Sequence, residues 1–407
     1  MKRKTFQLGF ALLTSLAFAQ PSAQAQYSHY GHGAHPSAVH PRATPSHRVS
    51  DATQTMHHGN VNLSTTHTRN SSILQVGGES VAASDVPWAS CDTCDMKSIR
   101  SCSPKESWWT HKNTVFGEFL FLVPGDSGIV YATKGTDPAI AGANSPTGPM
   151  GILDIGAEPG FRVGGSVALT DQSSAFLTFT WWEGKDEDRI TATGLNVLNP
   201  HLLHPSTLTV AGAGLEATGR QDLGFQLIDA GFRRAFITNC NSAVNWIAGV
   251  RYAHLDQAVT TSQVASVPTG LTTLRSDVDF HGFGLLAGLD AERRCAPLGI
   301  SIYGSTLGSL TGGNWNARSR QTNQFGGGVI ASDFEEFRIM PVIEAEVGLA
   351  WQSSKNRVRA QIGFMASGWL NAISSAEYLD GLNRNNFNGL SETLTFSGLT
   401  SSLEFRF

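Results

Sequence analysis

The segment Val342-Ile343-Glu344-Ala345-Glu346-Val347-Gly348-Leu349-Ala350-Trp351-Gln352 alternates between apolar side chains and small or charged ones. Successive side chains of a β-strand point to opposite faces, so this order places five apolar residues on one face. At helical spacing the two glutamates would interrupt the apolar stripe, which excludes an amphipathic helix. The segment is therefore predicted to be a strand with one face in an apolar environment.

A second run with the same alternation follows after a five-residue polar turn, Ser353–Arg357. In the run 358–367 the apolar residues, among them Ile362 and Phe364, share one face, and Arg359 lies on the other. Two alternating runs joined by a short polar turn predict an antiparallel β-hairpin.

The same alternation recurs along most of the chain and predicts ten strands. They lie near residues 114–134, 155–170, 175–188, 218–237, 245–261, 276–293, 298–310, 338–352, 358–372 and 393–407. Short turns join one set of strand ends, and longer stretches join the other, near residues 136–154, 188–217, 262–275, 312–337 and 373–392. This asymmetry is typical of an outer-membrane barrel with its turns in the periplasm and its loops outside.

The predicted fold class is therefore all-β: a transmembrane, antiparallel up-and-down β-barrel of about ten strands. Extra hairpin pieces between residues 188 and 217 would raise the number to 12. A soluble β-sandwich also alternates with one buried face. The sandwich is disfavoured because strands of 13 or more residues exceed the ~5–6 that are usual.

Composition agrees with a barrel and excludes other classes. Charged residues make up 15% of the 407 residues, and 43 are glycines, whereas globular domains average about 25% charged residues and about 7% glycine. The absence of any run of ~18 consecutive apolar residues excludes a bundle of transmembrane helices. The formal net charge of −4 gives no indication of a nucleic-acid partner.

The N-terminus is predicted to be a secretory signal peptide over residues 1–25. Basic residues 2–4 precede an apolar stretch from Leu8 to Ala19, and residues 23–25 offer small side chains at the cleavage positions. Together with a barrel, this signal predicts the outer membrane of a Gram-negative cell envelope, where disulfides are permitted.

Residues 26–105 are predicted to form a disordered extension, followed by the barrel at 106–407. Between residues 27 and 70 the chain is rich in His, Ser, Thr, Pro and Gly, and too poor in large apolar residues to form a core. Imidazoles bind zinc, nickel or copper. The irregular spacing of the eight histidines here nevertheless favours a solvated spacer over weak metal capture.

The five cysteines form a cluster, Cys91, Cys94 and Cys102, and a distant pair, Cys240 and Cys295, in predicted turns. No histidine follows Cys94, which excludes c-type haem attachment, and a thioredoxin-like site lacks its βαβ context. A local disulfide with one cysteine left over is the preferred interpretation, and a three-cysteine zinc site completed by a histidine stays open. Cys240 and Cys295 could form a disulfide only if their turns bend towards each other.

The last strand places Leu399, Leu403, Phe405 and Phe407 on one face and ends the chain on an aromatic residue. This ending resembles the signal by which barrels are passed to the outer-membrane assembly machinery. We therefore expect that machinery as a partner, besides outer-membrane lipid.

Two tryptophan pairs are expected to mark the membrane interfaces. Trp108-Trp109 precede the first strand, and Trp181-Trp182 lie near the outer end of the third. Outer-membrane barrels carry aromatic girdles at both interfaces. Packing in a soluble core is the alternative.

Several short motifs follow one another in an order that resembles a known family. They are Phe116–Leu122 (FGEFLFL), Val130–Ala132 (VYA), Gly160–Gly164 (GFRVG), Asp229–Phe232 (DAGF) and Trp246–Tyr252 (WIAGVRY). Over Phe116 to Phe407 the chain resembles the Legionella-type pore-forming outer-membrane proteins. The resemblance implies a porin-like barrel without a cofactor that allows passive diffusion of ions and small solutes. Residues 27–105 lie outside the family pattern.

The strand faces opposite the apolar ones are expected to line the pore. They carry Glu118, Asp277, Asp279, Glu344, Glu346 and Glu404, together with Arg162, Arg251, Arg359 and Arg406. Charges of both signs set ion preference by their local excess, so six carboxylates against four guanidiniums predict a mild cation preference. The same charges could instead pair across a narrow lumen and fill it, giving a non-conducting structural barrel.

An enzyme embedded in the barrel is a competing class. Catalysis needs a nucleophile or activated water with a base within hydrogen-bond reach, and His201, His204 and His254 have only loosely placed neighbours. The His201–His204 segment lacks the His-Glu-x-x-His signature, and Gly212–Ala217 lacks the context of a dinucleotide loop. We therefore expect no enzymatic activity and no metal or cofactor. A surface receptor or adhesin acting through the long loops is also compatible with the sequence.

Overall fold

The computed structural model describes residues 108–125, 127–136, 146–194, 196–204, 214–265, 270–295, 299–324 and 328–407. The predicted signal peptide and the predicted extension, including the cysteine cluster, lie outside the described residues. The His-rich segment and its two interpretations lie outside them as well.

The described residues form thirteen strands and one helix. In chain order these are β1 (Thr114–Gly125), β2 (Ile129–Thr136), β3 (Pro146–Leu153), β4 (Glu158–Thr170), β5 (Ser173–Thr191), β6 (Asn196–Pro200), β7 (Gly214–Thr238), β8 (Ser242–Ala265), β9 (Leu271–Arg294), β10 (Ile300–Asn323), β11 (Val329–Gln352), β12 (Val358–Ala372), α1 (Ser375–Arg384) and β13 (Glu392–Arg406).

Ten of these strands close into a ring by antiparallel pairing. The order around the ring is β1, β4, β5, β7, β8, β9, β10, β11, β12 and β13, and β13 pairs again with β1. Closure leaves no unpaired edge in the ring, which removes the usual liability of an exposed sheet edge. The predicted all-β barrel of ten strands is confirmed, and 12 strands are not observed in the ring.

The three remaining strands form a small flap outside the ring. β2 pairs with β3 on one side and with β6 on the other. A single residue pair, Leu198 with Gly214, joins β6 to β7. These strands use parts of the chain that were predicted to be loops or the end of the first strand.

The alternation along Val342–Gln352 is the alternation between the two faces of this wall. On β11, Ile343, Val347 and Leu349 point outward and are more than half exposed, whereas Glu344 points inward and is buried. Outward apolar side chains recur on other ring strands, for example Leu285 on β9 and Phe364 on β12. The barrel therefore carries an apolar outer band, as a lipid-facing wall requires.

The two ends of the barrel differ. At the turn end lie the short connections β4–β5, β7–β8, β9–β10 and β11–β12 together with the C-terminus. At the helix end lie the flap and α1, which occupies the β12–β13 connection. The Ser374 hydroxyl caps α1 by accepting from the Glu377 N–H at 3.1 Å. None of the helices in the described part of the chain is long and apolar enough to span a membrane.

Two of the predicted long loops are in fact strands. β10 continues to Asn323 and β11 begins at Val329, so most of the segment 312–337 belongs to paired antiparallel strands. β8 and β9 likewise pair up to Val264 with Leu271. Strands of 24 residues extend for about 80 Å, whereas ~10 tilted residues cross a membrane. The strands therefore continue well beyond the apolar band at the helix end.

Candidate functional site

A cavity of about 260 Å³ occupies the lumen near the turn end. All ten ring strands contribute side chains to its wall, and the segment Trp108–Lys112, here named the strap, also lines it. The charged residues that line the cavity are Lys112 of the strap and, on the ring strands, Glu118, Arg162, Asp229, Arg233, Asp290, Glu292, Glu344, Glu346, Arg359, Glu404 and Arg406. The interior of this half of the barrel is therefore polar.

At the inner end of the cavity, two arginines hold four carboxylates. Arg251 is 1% exposed; its Nε lies 2.6 Å from Asp229 Oδ1 and its Nη1 2.5 Å from Glu344 Oε1. Arg162 Nη1 lies 3.2 Å from Glu118 Oε2 and 3.6 Å from Glu346 Oε2. Buried charges are tolerated when they are paired and hydrogen-bonded. We call these six residues the central ion cluster.

Nearer the turn end the charges form separate pairs. Arg359 Nη1 lies 2.9 Å from Glu292 Oε2, and Arg406 Nε lies 2.9 Å from Glu404 Oε1. In a third ion pair, Arg233 Nε lies 2.8 Å from Asp290 Oδ2. The angles of this contact do not make it a hydrogen bond.

Eight of the ten residues predicted to line a pore face the lumen. They are Glu118, Arg162, Arg251, Glu344, Glu346, Arg359, Glu404 and Arg406. Their role in conduction stays a prediction.

The other two, Asp277 and Asp279, require correction because they lie on the outer face of β9. The inward residues at this height are Val278 and Phe280, which are at most 1% exposed. Here the strand has passed beyond the apolar band, so its outer face is polar and its inner face apolar. The prediction assumed that apolar residues face lipid along the whole strand, and that assumption fails at the helix end.

Four charged residues of the ring strands line the cavity without belonging to the predicted set: Asp229, Arg233, Asp290 and Glu292. On its strand, each lies an even number of positions from a residue that is buried or was predicted to face the lumen. Because side chains alternate between the two faces, each therefore points inward. On β9, for example, Asp290 and Glu292 share the even parity of Phe280. Counting parity from one buried residue per strand would have found them.

Above the central ion cluster, the lumen is filled by an apolar layer. Nine of the ten ring strands contribute to it side chains that are at most 3% exposed. The largest of these strand side chains are Trp182, Phe225, Phe280, Trp315, Met340, Met365, Trp369 and Phe396. Ring centroids lie 4.8 Å apart for Phe225 and Phe396, and 5.2 Å for Trp182 and Phe396, within the usual range of packed aromatic pairs.

The helix α1 and the flap lie beyond this layer at the helix end. Gln257 of β8 donates from Nε2 to the Ile373 carbonyl at 2.9 Å and accepts from the Ser375 N–H at 3.0 Å. The Tyr378 hydroxyl donates to the Ser332 carbonyl at 3.1 Å. Leu379 of α1 and Leu153 of the flap belong to one buried cluster, so both elements pack over this end.

The strap closes part of the cavity at the turn end. The Trp108 Nε1–H donates to the Cys240 carbonyl at 3.0 Å, and Arg294 lies 4.7 Å from the Trp108 ring centroid. The His111 N–H donates to the Asp171 carbonyl at 3.0 Å. These contacts fix the strap to the β4–β5 and β7–β8 turns, which belong to neighbouring hairpins of the ring.

The tryptophan and cysteine predictions are corrected in part. Trp181 lies on the outer face, 5.5 Å from the Phe161 ring, but Trp182 is buried in the apolar layer and Trp108 belongs to the strap. Cys240 is disulfide-bonded, whereas Cys295 is a free thiol. The suggested Cys240–Cys295 bridge is therefore wrong, and the partner of Cys240 lies outside the described residues.

The histidines considered as catalytic candidates do not converge. His201 pairs with the Thr133 hydroxyl near the flap, and the His204 N–H donates to Gln321. His254 stacks on His281 on the outer face with ring centroids 4.2 Å apart. Within the described ranges, no group of three or more His, Cys, Asp or Glu residues could hold a metal ion.

Solved structures with a similar fold include several outer-membrane barrels. The outer membrane protease OmpT from Escherichia coli is 11% identical, with 73% of this chain and 97% of that chain covered and a TM-score of 0.41. The CymD monoaromatic hydrocarbon channel is 8% identical, covering 73% and 89%, with a TM-score of 0.28. A Pseudomonas aeruginosa FadL homologue is 7% identical, covering 72% and 89%, with a TM-score of 0.19.

The protease among these structures corrects one prediction. We expected no enzymatic activity, but a protease is similar in fold to this chain, so the enzymatic status of the chain is open. At this level of identity the similarity concerns the fold alone and carries no residue roles.

Sequence comparison gives the family. No curated protein matches the sequence. The family model described as Legionella pneumophila major outer membrane protein precursor matches residues 107–407, the stretch that holds every ring strand. The resemblance read from the short motifs is thereby confirmed, and the protein is located in the outer membrane. The chain belongs to the Legionella major outer membrane protein family.

Proposed function

We propose that the protein is a pore of the outer membrane whose passage opens and closes within the barrel. The observation that carries this proposal is the charged cavity of about 260 Å³ inside the apolar band. Burying this many charges is costly, and a barrel that served only as a membrane anchor would be more stable with an apolar interior. The charges are accounted for if ions and small polar solutes pass them.

The apolar layer is the gate in this proposal. It separates the cavity from the helix end, and side chains from nine strands build it. Hydrophobic constrictions gate channels by excluding water. Conduction then requires displacement of large side chains such as Trp182 and Phe396, together with the segment 373–391 that packs on them.

Cation preference follows from the corrected list of lumen charges. Seven carboxylates, those of Glu118, Asp229, Asp290, Glu292, Glu344, Glu346 and Glu404, face six cationic groups, those of Lys112, Arg162, Arg233, Arg251, Arg359 and Arg406. Carboxylates therefore still outnumber cationic groups in the lumen, although Asp277 and Asp279 lie on the outer face. Local excess of one sign sets preference.

Orientation and assembly belong to the same proposal. The turn end faces the periplasm, after export by the signal peptide at residues 1–25, because short turns are periplasmic in barrels of this kind. The apolar band contacts outer-membrane lipid. Phe407, which is 72% exposed, is available to the assembly machinery.

A pair of adjacent tryptophans provides the test. We expect rare or small openings for the wild-type protein in planar bilayers, and a larger and steadier conductance for Trp182→Ala, which removes an indole from the apolar layer. Trp181→Ala is the matched control because its side chain lies on the outer face of the same strand. Reversal potentials in a salt gradient would report cation preference.

A non-conducting structural barrel is the second candidate, and the completeness of the apolar layer favours it. On that function, both tryptophan variants and the wild type would fold, as judged by heat-modifiable migration, and all three bilayers would stay silent. That result would contradict the pore. A receptor acting through its outer surface would give the same silence.

A further inference from the structure

Four side chains at the rim of the cavity form a continuous hydrogen-bonded chain. Ser174 Oγ lies 2.8 Å from His111 Nδ1, and His111 Nε2 lies 3.4 Å from Asn245 Oδ1. Asn245 Nδ2 donates to Asp290 Oδ1 at 2.5 Å. Ser174, Asn245 and Asp290 point inward from β5, β8 and β9, and the strap supplies His111. All four line the cavity.

The order of donors in this chain fixes the tautomer of His111. An ionised carboxylate only accepts hydrogen bonds, so Asp290 orients the Asn245 amide with its NH₂ towards β9 and its oxygen towards the strap. That oxygen accepts from His111 Nε2–H. The lone pair of the neutral ring is then on Nδ1, where it can accept the Ser174 hydroxyl proton.

The surroundings keep this imidazole neutral. Burial and the nearby Arg233 guanidinium lower the pKa of His111. The charged groups that face it are Arg233 of β7, Asp290 of β9 and Arg406 of β13. A neutral imidazole bonded to a hydroxyl is the arrangement that activates a serine nucleophile.

The strap makes bonds to the barrel besides those of the His111 side chain. The strap is already bound through the His111 N–H to Asp171 and through Trp108 to Cys240. A structural clasp explains neither the amide orientation imposed by Asp290 nor the position of the hydroxyl at a cavity. Arg233 is opposite Ser174 in the β5–β7 register, and its guanidinium, 2.8 Å from Asp290, brings a positive charge to this part of the cavity.

We propose that Ser174, His111 and Asn245 form a serine hydrolase site that cleaves small carboxylic esters entering the cavity. Ser174 and His111 are the catalytic residues, and Asn245 and Asp290 are positioning residues. The cavity, at about 260 Å³, is near the lower limit for small-molecule sites, which restricts the substrate to a small ester.

The reaction proceeds in two balanced steps. Ser174 Oγ attacks the ester carbonyl carbon while its proton moves to His111 Nδ1; the carbon–alkoxy bond breaks and the alcohol leaves with that proton. A water molecule then attacks the acyl-serine, again losing its proton to His111 Nδ1. The acid is released, and Ser174 Oγ recovers the proton. Positive charge from Arg233 would stabilise the negative oxygen of each tetrahedral intermediate.

The experiment uses the purified full-length protein, folded in detergent micelles. A fluorophosphonate–rhodamine probe reports an activated serine, and hydrolysis of p-nitrophenyl acetate reports turnover. We expect the wild type to be labelled and Ser174→Ala to lose both labelling and hydrolysis. Ser173→Ala is the matched control, because Ser173 is the neighbouring serine of β5 and bonds to Thr170 instead.

Two further variants separate catalysis from structure. His111→Gln is expected to lose hydrolysis by ~100-fold or more, as removal of a general base does. Asp290→Asn removes a negative charge that raises the pKa of His111. The acid limb in the pH profile of kcat/KM should therefore move to lower pH in this variant. A merely structural role would change the yield of folded barrel without moving that limb.

Two outcomes would overturn the proposal. One is a folded, heat-modifiable wild type that is neither labelled nor active above the buffer rate. The other is equal labelling of the wild type and Ser174→Ala. Neither result depends on conductance, so this proposal and the pore fail or succeed separately.

Discussion

The two halves of the barrel are built from the same strands with opposite polarity. In the turn half, β9 places Phe283, Leu285 and Leu289 outward and Asp290 inward. In the helix half, the same strand places Asp279 outward and Phe280 inward. The parity of the strand never changes. What changes is the medium outside the wall, from an apolar one to water.

This difference shows that alternation reports geometry, whereas the polarity of each face reports its environment. A strand that only crossed a membrane would keep its apolar residues outside throughout. Here the reversal lies between His281 and Phe283 on β9, and on β5 it lies between Trp181 and Glu183. The reversal therefore marks where the apolar band ends on each strand.

The largest expected effect comes from breaking the central ion cluster of the turn half. Arg251→Ala leaves Asp229 and Glu344 buried without their main cation. Removing one partner of a buried pair typically costs about 3–5 kcal/mol. We expect a loss of that size in the free energy of unfolding, measured by urea titration of the barrel in detergent micelles.

An exposed arginine on an adjacent strand is the control. Arg234→Ala on β7 changes a side chain that is solvent-exposed, and we expect no more than ~0.5 kcal/mol. Equal losses for Arg251→Ala and Arg234→Ala would show that the ion cluster is not buried as described.

A smaller effect is expected from charging the outer face at two heights. Leu310 and Asn314 both point outward from β10, and both are exposed. Arginine on a lipid-facing barrel wall costs about 2–4 kcal/mol at the midplane and ~0–1 kcal/mol near the edges. Leu310, opposite Leu285 of β9, lies inside the band near its edge, so we expect an intermediate cost. Leu310→Arg should therefore destabilise the barrel in lipid bilayers, and Asn314→Arg should be nearly neutral. If Asn314→Arg destabilised the barrel in bilayers more than Leu310→Arg, the apolar band would not end between these two residues.

Much of the fold follows from parity alone, and that part was predictable. Strand number, hairpin pairing and the inward placement of Glu118, Arg162 and Glu344 all depend on alternation, which the sequence displays directly. The ends of the strands could not be predicted from alternation. Beyond the apolar band the outward residues, such as Asn314 and Arg318, are polar, so these segments have a composition typical of loops.

The Ser174–His111–Asn245 chain could not be found by local inspection. Together with Asp290, its members come from the strap and from three strands, of which β5 is separated from β8 by β7 in the ring. Ser174 occupies a predicted turn, and His111 precedes the first strand without any motif around it. Only the register of the ladder places Asn245 opposite Asp290 and brings both towards the strap.

The smallest expected effect is a pH dependence of strap binding, which should appear in the turn half of the barrel and not in the apolar layer. The pKa of His111 is lowered in the folded barrel by burial and by Arg233. Above the ordinary value of 6.5, the imidazole is neutral whether or not the strap is bound. As the pH falls below 6.5, the released strap takes up a proton that the bound strap resists, so binding of the strap weakens. Hydrogen exchange of residues 108–113 should then rise relative to His111→Gln, while exchange in the apolar layer, which carries no titratable side chain among its largest members, stays constant. A strap with the same protection at pH 5 and pH 8 would mean that its His111 side chain contributes nothing to the binding.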